Sequence, residues 1–225
     1  MIGIFDSGVG GICAYRRVRR LLPREDVIYL ADRKNAPYGT KDEDEIAALT
    51  ERNVRLLCSV GADAVLIACC TASCIYGRLP EEVRKVSLPI IAPAAKIAAR
   101  GGVRIGVIAT DRTVANGAFK REIRSISDAE VTERSEQPLV AMVEGGCRDG
   151  RLSPECRDRL SAIAEWARDN EIDSLILGCT HFSHLRGEIS RLLPKVKIIS
   201  PAHVGAEEIA RKTTPHRERG RDVYM

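Results

Sequence analysis

The sequence predicts an α/β fold of two pseudosymmetric α/β domains with mostly parallel sheets. Along all 225 residues, short apolar runs alternate with segments of helical periodicity. That is the order of strands joined by right-handed crossover helices. The runs are hydrophobic without polar alternation, as in strands covered on both faces. The chain also repeats itself weakly. Ile2-Gly3-Ile4-Phe5 resembles Ile105-Gly106-Val107-Ile108, and D-A-V-L-I-A-C (63–69) resembles D-S-L-I-L-G-C (173–179).

Taken in order, the expected strands are I-G-I-F (2–5), V-I-Y-L (27–30), A-V-L-I-A (64–68), P-I-I-A (89–92), R-I-G-V-I-A (104–109), S-L-I-L-G (174–178) and V-K-I-I-S (196–200). Each is rich in Ile, Val and Leu. Between them lie helical patterns such as E-D-E-I-A-A-L-T-E-R-N-V-R-L-L-C-S-V (43–60) and C-R-D-R-L-S-A-I-A-E-W-A-R-D-N (156–170), with apolar residues at helical spacing. The turn D-S-G-V-G-G (6–11) follows the first strand and exposes backbone N–H groups where a helix should start. It does not read G-x-G-x-x-G, so no dinucleotide site is expected, and Asp6 or Ser7 would cap the next helix.

Charge narrows the function classes. Thirty-five Lys and Arg against thirty-one Asp and Glu leave a formal +4. Five of the basic residues (Arg211, Lys212, Arg217, Arg219, Arg221) and two acids (Glu218, Asp222) lie in the last fifteen positions, so the tail carries +3 and the body about +1. No strongly basic surface and no nucleic-acid partner follow, and the tail reads as solvated. No apolar run approaches the roughly 18 residues of a membrane span, so no membrane partner is expected. The opening M-I-G-I-F-D-S-G has no basic segment ahead of it and reads as a strand rather than an export signal. The expected compartment is therefore the cytoplasm, where thiols stay reduced.

Eight cysteines then need a role. A disulfide scaffold does not suit a chain of this length in a reducing compartment. Structural zinc needs repeated close pairs, and only Cys70 and Cys74 approach that spacing, so no metal is expected. Thiol chemistry is left. In A-C-C-T-A-S (68–73) and G-C-T-H (178–181) a thiol ends a buried strand and precedes Thr. A helix start and nearby donors lower a thiol pKa from about 8.5 toward neutrality. His181, two residues from Cys179, could relay a proton to that thiol, and Asp6 could serve Cys69. A lone cysteine in such a place is usually just a small hydrophobe. Two in matching contexts argue for function. Ligands collect at the carboxyl ends of parallel strands, so a cleft between two facing halves would carry one cysteine on each wall. Two thiols so placed suit one reaction well: removal of a proton from one face of a carbon and its return to the other, with no cofactor. Cys13, Cys58, Cys74, Cys147 and Cys156 read as packing or surface residues.

These residues resemble the glutamate racemases, within the wider aspartate/glutamate racemase superfamily. The resemblance runs through I-G-I-F-D-S-G-V-G-G, the A-D-x-x-x-x-P-Y-G-T-K stretch at 31–41, L-I-A-C-C-T-A-S, R-I-G-V-I-A-T-x-x-T-V, P-L-V-A-M-V-E-G-G and L-I-L-G-C-T-H-F. It implies two pseudosymmetric α/β domains, here 1–93 plus 202–225 and 94–201, with an inter-domain active site. It implies a small-molecule amino-acid substrate, no cofactor and a homodimer as the common form. The family's catalytic thiols correspond to Cys69 and Cys179, tuned by Asp6 and His181. Its substrate-holding residues correspond to Asp6, Ser7, Tyr38, Gly39, Cys70, Thr71, Thr113, Glu144, Thr180 and His181. The product would be D-glutamate for peptidoglycan.

The sequence departs from that pattern in places. The family usually has Asn after the first thiol, where this chain has Cys70. A thiol is only a weak donor, and losing an amide contact in a desolvated site costs roughly 1–3 kcal/mol. Phe119 stands where tyrosine is common and Gln137 where a cysteine is frequent, and the chain is shorter than most members. A racemase or isomerase acting on another amino or dicarboxylic acid, for example aspartate, is the alternative these departures suggest. A non-catalytic anion-binding protein is the reading from another class.

Overall fold

The computed structural model describes residues 1–213 and 222–224. The tail charges Arg217, Glu218, Arg219 and Arg221 lie outside the described residues. No helix among the described residues is long and apolar enough to cross a membrane. The chain divides into two compact units, one of Met1–Ile90 with Ala202–Met225 and one of Ile91–Pro201.

In chain order the first stretch holds β1 (Ile2–Asp6), α1 (Ile12–Leu21), β2 (Val27–Ala31), α2 (Glu43–Ser59), β3 (Ala64–Ile67), α3 (Cys70–Cys74), α4 (Glu81–Val86) and β4 (Ser87–Pro89). Next come α5 (Ile91–Ala99), β5 (Arg104–Ala109), α6 (Asp111–Asn116), α7 (Ala118–Arg124), β6 (Glu130–Ser135), α8 (Pro138–Glu144), α9 (Pro154–Asp169), β7 (Ser174–Gly178), α10 (Arg186–Leu192) and β8 (Lys197–Ile199). The chain closes with α11 (Pro201–Lys212) and β9 (Asp222–Tyr224).

The first unit contains a parallel sheet ordered β4-β3-β1-β2-β9, and the second a parallel sheet ordered β6-β5-β7-β8. The sequence repeat is a repeat of register. Ile2 lies opposite Ala64 and Phe5 opposite Ile67, while Ile105 lies opposite Ser174 and Ile108 opposite Leu177. Equivalent residues of the two repeats therefore pair with one another in the same way in each sheet. The Asp that opens each copy repeats its bonds as well. Asp63 N–H donates to the Met1 carbonyl and Asp173 N–H to the Arg104 carbonyl.

Helix starts follow local chemistry. Asp42 accepts from the Glu45 N–H at 2.8 Å, and three acids fill the first turn of α2. Ser153 does the same for α9 through the Cys156 N–H at 3.2 Å. The first helix differs from expectation. Gly11 occupies its cap position without a side-chain bond, and the Asp6 carboxylate instead accepts from the Gly8 N–H at 2.8 Å, inside the turn.

Each unit has its own core. In the first, Phe5, Ile28, Leu30 and Ile67 of the sheet pack with Ile46, Val54 and Leu57 of α2. In the second, Ile108, Leu175 and Leu177 pack with Leu139 of α8 and Leu160 and Ile163 of α9. Several expectations need correction. P-I-I-A (89–92) is not a strand: β4 ends at Pro89 and α5 begins at Ile91. β6 and β9 were not expected at all. The tail is strand-paired at 222–224, which lie along β2, and the Tyr224 hydroxyl donates to that of Tyr15 at 2.6 Å, while Val223 and Tyr224 stay exposed.

Candidate active site

The carboxyl edge of the first sheet collects every site residue expected from that unit. Asp6 ends β1 and is fully buried. β1 lies between β3 and β2, so the segments leaving all three strands emerge beside one another. Ser7 follows Asp6, and its hydroxyl lies 3.5 Å from the Cys69 sulfur. Cys69 follows β3 in extended conformation at the cap position of α3, whose first residues are Cys70 and Thr71. All three are buried. The turn that carries Ser7 is tight. A Cβ on Gly11 would stand 2.6 Å from the Asp6 Cβ, so only glycine fits there.

Tyr38 enters the same edge from the segment after β2, with the half-buried Gly39 beside it in a short 3₁₀ turn, 38–40. Its ring joins Cys69 in one packed cluster, and its hydroxyl donates to Asp32 at 2.7 Å. Asp32 is a hub the sequence reading missed. Its carboxylate also accepts from Asn53 at 2.9 Å, Asn35 at 2.7 Å and Arg52 at 2.8 Å, and Asn53 donates to the Tyr38 hydroxyl at 3.1 Å. Burial and the bond to Asp32 push the Tyr38 phenol far above its ordinary range, so it stays a neutral donor. Burial works against the Asp32 charge, but the bonds from Asn53, Tyr38 and Asn35 and the Arg52 charge hold its carboxyl below the ordinary value. The available signal was Asn53, a polar residue on the apolar face of α2 beside Thr50, Val54 and Leu57.

In the second unit Cys179 follows β7 in extended conformation. Its position is equivalent to that of Cys69, because β7 pairs with β5 as β3 pairs with β1. The next residues form a 3₁₀ segment, Thr180–Leu185, where an α-helix follows Cys69. That segment puts His181 Nδ1 3.6 Å from the Cys179 sulfur. On the other side of the ring, His181 Nε2 lies 2.7 Å from Glu144 Oε1, at the end of α8. A carboxylate there favours the proton on Nε2 and leaves Nδ1 to exchange one with the thiol. Thr180 and His181 are buried, while the Glu144 side chain is 38% exposed. Thr113, fully buried, shares a 2.9 Å hydroxyl contact with Thr110, which caps α6 just beyond β5.

Each sheet thus presents one strand-end thiol beside a polar partner, a hydroxyl for Cys69 and an imidazole backed by a carboxylate for Cys179. Either thiol can exchange a proton with a bound molecule in such a setting. At the Cys69 sulfur the geometry shows the Ser7 hydroxyl, at 3.5 Å.

A family model for Asp/Glu/hydantoin racemases matches residues 12–209. The chain is 39% identical over 208 residues to a glutamate racemase of Desulforudis audaxviator, covering 89% of this chain and 74% of that protein. Two solved structures align over 99% of this chain and 86% of their own. One is a glutamate racemase from Thermus thermophilus in complex with β-chloro-D-alanine, at 32% identity and a TM-score of 0.79. The other is a glutamate racemase from Francisella tularensis in complex with D-glutamate, at 27% identity and a TM-score of 0.85.

Proposed function

This chain belongs to the Asp/Glu/hydantoin racemase family, and we propose that it is a cofactor-independent racemase interconverting L- and D-glutamate. The observation that carries the reading is the pair of thiols at equivalent strand ends, each with a proton-handling or hydrogen-bonding neighbour. Cys69 serves one face of the α-carbon and Cys179 the other. In each direction one sulfur enters as thiolate and takes the α-proton, while the other enters as thiol and returns a proton to the opposite face. His181, held by Glu144, keeps Cys179 supplied with or relieved of its proton. Ser7 and Asp6 act on the Cys69 side, and Tyr38, Gly39, Thr71, Thr113 and Thr180 hold the substrate's carboxylates and amine. Donors fixed in a buried site steady the charge that develops at the α-carbon. The reading extends to a cytoplasmic enzyme, where both thiols stay reduced, and to D-glutamate supply for peptidoglycan.

Incubation of each glutamate enantiomer with the protein in D₂O, followed by NMR, tests this directly. The α-position should exchange deuterium and the enantiomers should equilibrate, and Cys69→Ser and Cys179→Ser should each abolish turnover. Absence of exchange with both enantiomers overturns the reading. Cys70, buried at the head of α3, is the observation favouring a second substrate such as aspartate, and the same assay with aspartate decides it.

A further inference from the structure

Tyr29 stands in the middle of β2 and is 4% exposed, and its hydroxyl reaches the turn that leaves β1. It donates to the Gly8 carbonyl at 2.8 Å. The Gly8 N–H donates to Asp6 Oδ1 at 2.8 Å, so both polar groups of this buried residue are fixed. Ser7 comes immediately before it, with its hydroxyl 3.5 Å from the Cys69 sulfur. The phenol oxygen is closely packed, since a Cβ on Gly11 would come within 3.0 Å of it. The ring is held as well. Tyr15 of α1 packs against it with centroids 6.0 Å apart, and Tyr224 packs on Tyr15 at 5.3 Å.

From these contacts we infer that Tyr29 is a positioning residue for the Cys69 half of the reaction: its hydroxyl fixes the Gly8 carbonyl and so sets the Ser7 hydroxyl against the Cys69 sulfur. Tyr29 takes this role only if Cys69 is the acid–base thiol of the proposed racemase. The turn is tied at both ends by backbone bonds. The Asp6 carbonyl accepts from the Asp32 N–H at 2.9 Å, and the Gly11 carbonyl accepts from the Tyr15 N–H at 3.0 Å. Between those ties, Tyr29 holds Gly8 from β2. A buried carbonyl that loses its donor must shift to find another. With the ends fixed, that shift falls on Gly8 and Ser7. When Cys69 is a thiolate, Ser7 is the donor of their contact, and a donor favours the charged sulfur. Moving Ser7 therefore withdraws support from the form of Cys69 that takes the α-proton.

Tyr29→Phe keeps the ring and removes the hydroxyl, and the reactivity of Cys69 itself is the readout. The folded protein is treated with iodoacetamide, and tandem mass spectrometry locates the label in two tryptic peptides, 56–78 with Cys69 and 169–186 with Cys179. Labelling of Cys69 should slow about fivefold, the factor one net hydrogen bond supplies, while Cys179 in the same molecule keeps its rate. Ser7→Ala should slow Cys69 to the same extent. The double variant should be no slower than either single one, because both remove one contact. With glutamate, kcat should fall by a similar factor while KM stays within about twofold. A tyrosine that only supports the fold would lower the melting temperature and leave the Cys69 rate unchanged. That result, a faster Cys69, or slowing that adds to that of Ser7→Ala overturns the inference. Labelling needs no substrate, so it decides whether Tyr29 sets Cys69 even if neither glutamate enantiomer exchanges, a result that overturns the functional reading instead.

Discussion

Asp32 is the single residue on which the position of Tyr38 most depends. It accepts from Tyr38, Asn53, Asn35 and Arg52 while 7% exposed. A carboxyl depressed in the folded state contributes its full stability above its unfolded value, and that contribution is lost as pH falls through the folded value. Asp32→Asn should therefore cost roughly 1.5–3 kcal/mol at neutral pH, the range for hydrogen bonds to a charged group. The deficit should shrink once the pH is taken below the ordinary aspartate value of 3.8. Thermal melts of both proteins at neutral and acid pH measure it, and a deficit that does not change with pH contradicts the assignment. At this scale the thiols were legible in the sequence, because each follows a repeated apolar run and has Thr one or two residues on. His181 stood out by its spacing from Cys179. The Asp32–Asn53 clasp could not be read, since the partners lie 21 residues apart and meet only when α2 packs across the end of β2.

Among the elements, β7 sets the position of the second thiol, and its last residue limits how it can be changed. A Cβ on Gly178 would meet the Ala109 Cβ at 2.9 Å and the Ile108 carbonyl at 3.0 Å. Neither neighbour is the end of a flexible side chain, so the end of β7 must move away from β5 and take Cys179 with it. Gly178→Ala should lower stability by about 1–3 kcal/mol, as overpacking does, and should slow deuterium exchange into glutamate as well. Gly77→Ala, where a Cβ meets nothing within 4 Å, serves as the control and should leave both unchanged. Equal effects from the two substitutions would contradict the steric argument. The strands that carry the site were legible because they are apolar on both faces. β6 was not, because E-V-T-E-R-S mixes charge into an edge strand that is only partly covered. P-I-I-A misled for the opposite reason: four apolar residues in a row fit a buried helix start as well as a strand. β9 lies next to a charged stretch, where three residues give no periodicity to read.

For the whole molecule, duplication is the main organising fact, and the sequence hinted at it only through two short resemblances. The structure turns the hint into a shared register, with β4-β3-β1-β2 in one sheet matching β8-β7-β5-β6 in the other. Helix lengths differ between the halves, so most of the correspondence had no sequence signal and rests on pairing alone. The duplication also has a consequence for folding. The second unit is one continuous stretch, Ile91–Pro201, while the first is assembled from two. It has a four-stranded sheet, and one buried cluster drawn from α8, α9 and that sheet. A unit with its own core and an uninterrupted chain meets the requirements for folding alone. Residues 91–201 expressed by themselves should therefore unfold cooperatively in a thermal melt and give a dispersed amide spectrum. A broad, non-cooperative melt would show that the sheet needs the rest of the chain. The same fragment bears on the proposed chemistry, because it holds Cys179, His181 and Glu144 but not Cys69. If inversion needs one thiol on each face of the carbon, the folded fragment should not interconvert the enantiomers of glutamate, whereas measurable racemisation by it would exclude two-thiol chemistry.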